Sequence, residues 1–334
     1  MSHIEFKGLE IHYEHRGDRG TPLVVFINGL SQRSQHWNAY VDYMLKKGYQ
    51  SLSFDLLGQG DSSKPVLGYD FNENQEVLAK LLDHIHEEKV YVMGISFGGI
   101  IALKFAIEYP ERCKGIVPTS AFSEIDTKLF LEGLNLYKGM VLQGFDFLLD
   151  MLMAINFSSE FLKKNEKLLP VLRRTSMAYN DYYAIQNLIE SLQSFTSFTA
   201  DLRKIQCPTL ALNGEWDHLT PAWCHDVIRQ NIKNSRLMFV QHGYHAFTLE
   251  FPDITCRIIA DFVDQVESGR WKGDQTVWIA DDDINSEEIA FSYGPFDHLR
   301  RLAIPMEKSR KSVLKRYEKY EIPDCPDQKY SGRS

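Results

Sequence analysis

Six residues, Gly94-Ile95-Ser96-Phe97-Gly98-Gly99, constrain this chain more than any other stretch, because they join a strand directly to a helix. The run VYVMGI before Ser96 reads as a buried strand, and GGIIALKFAIEY after it reads as a helix. A chain that passes from one to the other through a single residue holds that residue in a sparsely populated backbone conformation. The cost is roughly 1–3 kcal/mol, and the side chain is lifted clear of the sheet. Gly94 and Gly98 leave the room such a turn needs. The following helix aims unpaired N–H groups, with about half a unit of positive charge, at any anion forming beside Ser96.

A serine hydroxyl is a weak nucleophile unless a base takes its proton and a third group orients that base. Both partners are expected downstream, the acid first and then the histidine, each on a loop after a strand. Asp217 fits the acid, in the turn GEWDHLTP after the strand TLALNG, with Glu215 and Asp226 as alternatives. His245 fits the base. It stands in QHGYHAFTLEFP, just past the strand LMFV, in a Gly-x-His pattern followed by Glu250, and His242 is the alternative.

Two backbone donors for an oxyanion, each worth about 2.7–4 kcal/mol in comparable sites, are assigned to Phe97 and to Leu30. Leu30 belongs to the turn Asn28-Gly29-Leu30 that follows the strand at 23–27. Asn28, Gly29, His36 and Trp37 are expected to line the substrate pocket. The histidines and carboxylates show no ligand spacing such as H-E-x-x-H, so neither metal nor cofactor is expected.

Strands predicted at 23–27, 51–55, 90–95, 115–119, 209–212 and 237–240 alternate with helices at 36–47, 73–86, 97–109, 222–232 and 254–266. This pattern gives an α/β class: a mostly parallel, doubly wound sheet covered on both faces. Residues 122–202 break the alternation, being helical and rich in Leu, Met, Phe and Tyr. The expected organisation is therefore a core of 1–121 and 203–268, a helical cap of 122–202 inserted between two strands, and a C-terminal extension of 269–334. In that extension an acidic run, Asp281, Asp282 and Asp283, precedes a basic segment at 296–319 that is a candidate docking element.

The formal charge of −8 offers no broad cationic surface, which excludes nucleic acid as an expected partner. Five cysteines without a C-x-x-C pair point to a reducing, cytoplasmic setting. The first residues alternate like a strand, so no secretory leader is expected. The most apolar stretch, 140–157, is interrupted by Gln143, Asp146 and Asp150 and reads as amphipathic helix rather than a membrane span.

The segments VFINGL, FDLLGQGDS, GISFGG, LNGEWD and GYHAFTLE fall in the order and spacing of the α/β-hydrolase superfamily, which the chain resembles over residues 4–266. One departure is Asn28, where many members carry a histidine before the oxyanion glycine. Asn28-Gly29 together with NG-x-WD at the acid resembles the hydroxyacyl acyltransferase of rhamnolipid synthesis, which joins two hydroxyacyl chains delivered by a carrier protein. The resemblance implies a serine hydrolase that acts on an ester or thioester with an apolar acyl chain, through an acyl-enzyme. The alternatives are an acyltransferase, with an acyl-carrier protein as candidate partner, and a non-catalytic ligand-binding member of the fold.

Overall fold

The computed structural model describes residues 2–65, 70–191 and 195–280, and the backbone of 290–294. An antiparallel hairpin of β1 (Ser2–Phe6) and β2 (Leu9–Arg16) comes first. It is followed by β3 (Leu23–Ile27), α1 (Asn38–Lys46), β4 (Gln50–Phe54), α2 (Glu73–Ile85), β5 (Val90–Ile95), α3 (Phe97–Glu108) and β6 (Cys113–Thr119). Five helices intervene: α4 (Thr127–Gln143), α5 (Phe145–Asn156), α6 (Ser159–Lys164), α7 (Leu169–Tyr179) and α8 (Tyr182–Glu190). The sheet then resumes with β7 (Thr209–Gly214), α9 (Ala222–Asn231), β8 (Ser235–Val240), α10 (Phe247–Glu250), α11 (Pro252–Glu267), β9 (Val277–Ala280) and β10 (Ala290–Gly294).

The ten strands form one sheet in the order β1-β2-β4-β3-β5-β6-β7-β8-β9-β10. From β4 to β9 all neighbours are parallel, while β1, β2 and β10 pair antiparallel. The predicted class, α/β with a mostly parallel sheet, is the one observed. Its cause can be read from β3. Successive side chains of a strand point to opposite faces. Leu23, Val25 and Ile27 accordingly enter the core layer beneath α2, α3 and α9, and Val24 and Phe26 enter the layer beneath α1 and α11. A strand covered on both sides has no solvent-facing position to fill with a polar residue, hence the unbroken LVVFI. Because the parallel strands all end at one edge, the loops after β3, β5, β6, β7 and β8 gather there.

The intervening helices have a small core of their own, Met140, Phe145, Leu148, Leu149 and Ile185. Three of their starts are capped by side chains: Asp126 accepts the Leu129 N–H, Ser158 the Phe161 N–H and Asp181 the Ala184 N–H. Gly144, with φ of 103°, divides α4 from α5.

One boundary needs correction. The expected core ends at 268 with 269–334 outside it, whereas β9 lies parallel against β8 with Val277, Ile279 and Ala280 buried. Four residues beside an acidic run are too few for strand periodicity to stand out. The acidic run 281–283, the basic segment at 296–319 and Cys325 lie outside the described residues. Among the described residues no helix is long and apolar enough to cross a membrane.

Candidate active site

Ser96 occupies the turn between β5 and α3 with φ 55° and ψ −115°, a region that residues with a Cβ rarely adopt. Its N–H donates to the carbonyl of Thr119, at the end of the neighbouring β6, over 2.8 Å. The glycines explain how so tight a junction is tolerated. A Cβ on Gly94 would stand 2.1 Å from the Gly98 carbonyl oxygen, and one on Gly98 would stand 2.3 Å from that of Ile27. Helix α3 thus presses onto the exit of β3, which brings the turn Asn28-Gly29-Leu30 against Ser96. A Cβ on Gly29 would lie 3.4 Å from that of Ser96. Phe97 opens α3, where the first N–H groups have no acceptor within the helix.

Asp217 and His245, from the loops after β7 and β8, meet directly: Nδ1 of His245 lies 2.9 Å from Oδ2 of Asp217. The other contacts of the carboxylate come from its own turn. Oδ1 accepts the N–H groups of Leu219 and Thr220 at 2.9 and 2.8 Å, and Oδ2 accepts the Thr220 hydroxyl at 2.7 Å. Burial pushes the Asp217 pKa upward, but the His245 charge and the hydrogen bonds from His245 and Thr220 outweigh it and hold the carboxyl below its usual value. An ionised Asp217 keeps a proton on Nδ1 of the imidazole and leaves Nε2 as the acceptor. The alternatives are engaged elsewhere: the Glu215 carboxylate accepts the His242 N–H at 3.0 Å, and Asp226 pairs with Arg229 at 2.6 Å.

The loops carrying these residues are fastened to one another. Ser120, at φ 46° just beyond Thr119, sets its hydroxyl 3.2 Å from Asn213 Oδ1 and 3.3 Å from the His245 carbonyl oxygen. Asn213 in turn donates to the Thr220 carbonyl at 2.9 Å. Nε2 of His225, on α9, accepts the Ala121 N–H at 2.9 Å, and burial lowers this imidazole to a pKa of about 4. The Ala246 N–H donates to the Asn156 carbonyl at 3.0 Å, and Glu250 accepts the Ser158 N–H, which ties the His245 loop to the end of α5. Sequence reasoning missed Thr220, Ser120 and His225. Thr220 had a legible signal, since an aspartate that accepts N–H groups two and three residues on defines a turn of the Asx type. The other two had none.

Two of the expected pocket residues are elsewhere. Asn28 is 0% exposed: its amide donates to the Phe54 carbonyl at 3.1 Å and to Asp55 Oδ1 at 3.2 Å, and its oxygen accepts the Trp37 indole N–H at 2.8 Å. Trp37, 2% exposed, stacks on Phe26 at 5.2 Å between ring centroids. Both brace the turn after β3 from the core side, because a buried amide and indole must find partners there. Gly29 is fixed through Gln32, which accepts its N–H at 2.9 Å, and Gln59, which donates to its carbonyl at 3.2 Å. Leu30 is half-buried and packs against the main core and the small core of the intervening helices together. His36, also half-buried, faces the Tyr179 ring of α7 at 6.2 Å, and burial lowers its pKa.

Comparison with known proteins fits this geometry. A family model described as alpha/beta hydrolase fold matches residues 22–252. The proline iminopeptidase PfmaB of Pestalotiopsis fici is 25% identical over 284 residues, covering 78% of this chain and 99% of that protein. The poly(3-hydroxyalkanoate) depolymerase of Ectopseudomonas oleovorans is 27% identical over 260 residues, covering 73% of this chain and 85% of its own. Among solved structures, the enol-lactonase of Burkholderia xenovorans superposes with a TM-score of 0.71 at 19% identity, covering 79% of this chain and 100% of that one. Hydrolases with differently named substrates thus share one scaffold with this chain.

Proposed function

The chain belongs to the alpha/beta hydrolase fold family, and from that premise we propose that it is a serine hydrolase acting on an ester or thioester with an apolar acyl chain. The observation that carries this reading is the bond of 2.9 Å between Asp217 and His245, at the sheet edge where Ser96 sits in its strained turn. In the proposed cycle Ser96 Oγ attacks the acyl carbon while Nε2 of His245 takes its proton. The oxyanion is held by the N–H groups of Phe97 and Leu30. The C–O or C–S bond then breaks, and the imidazolium returns its proton to the departing alcohol or thiol. Water, deprotonated by the same Nε2, attacks the acyl-enzyme and releases the acid and free Ser96.

Support for an apolar acyl group comes from Leu30, which reaches from the oxyanion turn into the cap cluster of Met140, Phe145, Leu148, Leu149 and Ile185. A cap of that character excludes water from the reacting centre. The test is labelling with a fluorophosphonate, followed by turnover of acyl esters and thioesters of graded chain length with and without a hydroxyl acceptor. Ser96 should be labelled, Ser96→Ala should not, and free acid should be released. Transferred product in place of acid would make the enzyme an acyltransferase, and an unlabelled wild-type protein would favour a ligand-binding role.

A further inference from the structure

Antiparallel pairing of β2 with β4 runs from Tyr13↔Phe54 to Arg16↔Ser51. Continuing that register by one residue sets His12 beside Asp55, and the His12 carbonyl accepts the Asp55 N–H at 3.0 Å. The turn after β4 doubles back, so that the Asp61 N–H donates to Asp55 Oδ2 at 2.8 Å and the Asp61 carboxylate arrives at the same place. One ring nitrogen of His12 and one oxygen from each carboxylate lie within 4.8 Å of one another. His12 is 0% exposed, yet neither ring nitrogen has a hydrogen-bond partner. Burying an imidazole without partners is costly, and such a group calls for an occupant.

We propose that His12, Asp55 and Asp61 form a binding site for one divalent transition-metal ion. One imidazole with two carboxylates suits Zn²⁺, Co²⁺ or Mn²⁺, whereas Ca²⁺ and Mg²⁺ prefer oxygen alone. A carboxylate offers about four lone-pair directions. Asp55 spends three of its acceptor positions on Asn28, the Ser34 N–H and the Asp61 N–H, which leaves one for the ion. Glu14 Oε1, 3.8 Å from His12 Nε2, is too far for a hydrogen bond and leaves the ring nitrogen available. Exposed Asp61 supplies the entry path. The ion would cross-link β2 to the turn that carries Gln59, which holds the Gly29 carbonyl. Binding itself stands apart from the chemistry proposed for Ser96.

The test uses the full-length protein, washed with chelator and titrated with Co²⁺, reading bound metal per chain after gel filtration, the visible ligand-field spectrum and the melting temperature. The expected result is a single Co²⁺ per chain, no thiolate charge-transfer band, a raised melting temperature, and displacement by Zn²⁺. His12→Gln and Asp61→Asn should each weaken binding about tenfold or more, and His86→Asn, at an exposed position outside the cluster, should not. Should the buried His12→Gln variant fail to fold, Asp61→Asn decides the matter alone. Failure to retain Co²⁺, a thiolate band, or an Asp61→Asn variant that binds like the wild type would each overturn the proposal.

Discussion

Asp217 Oδ2 stands 2.9 Å from Nδ1 of His245, although the two residues are 28 positions apart and leave the sheet from different strands. Both are nearly buried, at 4% and 5% exposure, so the contact is shielded from solvent. A charge in that position orients the imidazole and stabilises it once it has taken a proton.

Asp217→Asn preserves the shape and removes the charge. Its amide N–H₂ turned toward Nδ1 would favour the tautomer with the proton on Nε2, which cannot accept from Ser96. We expect kcat to fall about 10⁴-fold with KM little changed and the circular dichroism native. Initial rates on whichever ester the wild type hydrolyses best will decide this, and an Asn variant with undiminished kcat would exclude Asp217 from the chemistry.

Gly98→Ala probes the pressure of α3 on the β3 exit. The new methyl would lie 2.3 Å from a backbone oxygen of Ile27, which cannot swing aside as a side chain would. Overpacking commonly costs about 1–3 kcal/mol, and this site should reach the upper end or beyond, read as a lower urea midpoint together with weaker fluorophosphonate labelling. Gly133→Ala is the control. On α4 nothing lies within 4 Å of its added Cβ, and the substitution should stabilise by roughly 0.5–1 kcal/mol.

The contrast between Ser96 and Trp37 explains what the sequence made legible. Around Ser96 a backbone constraint leaves a signature in residue types, because only glycine tolerates the approaches at 94 and 98. The contact of Asp217 with His245 was legible because each follows a recognisable strand in a fixed chain order. Asn28 lies in the turn after β3 and Trp37 a few residues beyond it, but which way a side chain faces depends on the packing of Phe26, Tyr40 and Asp55, which sequence proximity does not encode. The same limit hid Ser120 and His225, whose roles arise from contacts across the sheet edge. It also hid His12 with Asp55 and Asp61, brought together by strand register rather than by any local motif.

Trp37→Phe follows from the corrected placement. The ring is kept and the N–H is lost, so Asn28 Oδ1 is left buried without its donor. Stability should drop by about 1–3 kcal/mol while KM for small acyl esters stays near its wild-type value. A large KM change with unaltered stability would return Trp37 to the pocket.

His225 sets a pH dependence of stability with a definite sign. In the folded protein burial lowers its pKa to about 4, and once the chain unfolds the imidazole returns to its ordinary value of 6.5. Between those values the unfolded state binds more protons than the folded one, so stability increases with pH across this window. The contribution is therefore complete above about pH 6.5 and is lost progressively as the pH falls toward 4, with a limiting size of roughly 3 kcal/mol. Urea unfolding at a series of pH values should show this slope. In His225→Gln the titrating group is absent while a side-chain oxygen is still offered to the Ala121 N–H, so the part of the slope due to this residue should vanish. Equal slopes in the two proteins would mean that His225 takes up its proton over the same pH range folded and unfolded, and once protonated its Nε2 could not accept the Ala121 N–H that helps hold the loop beside His245.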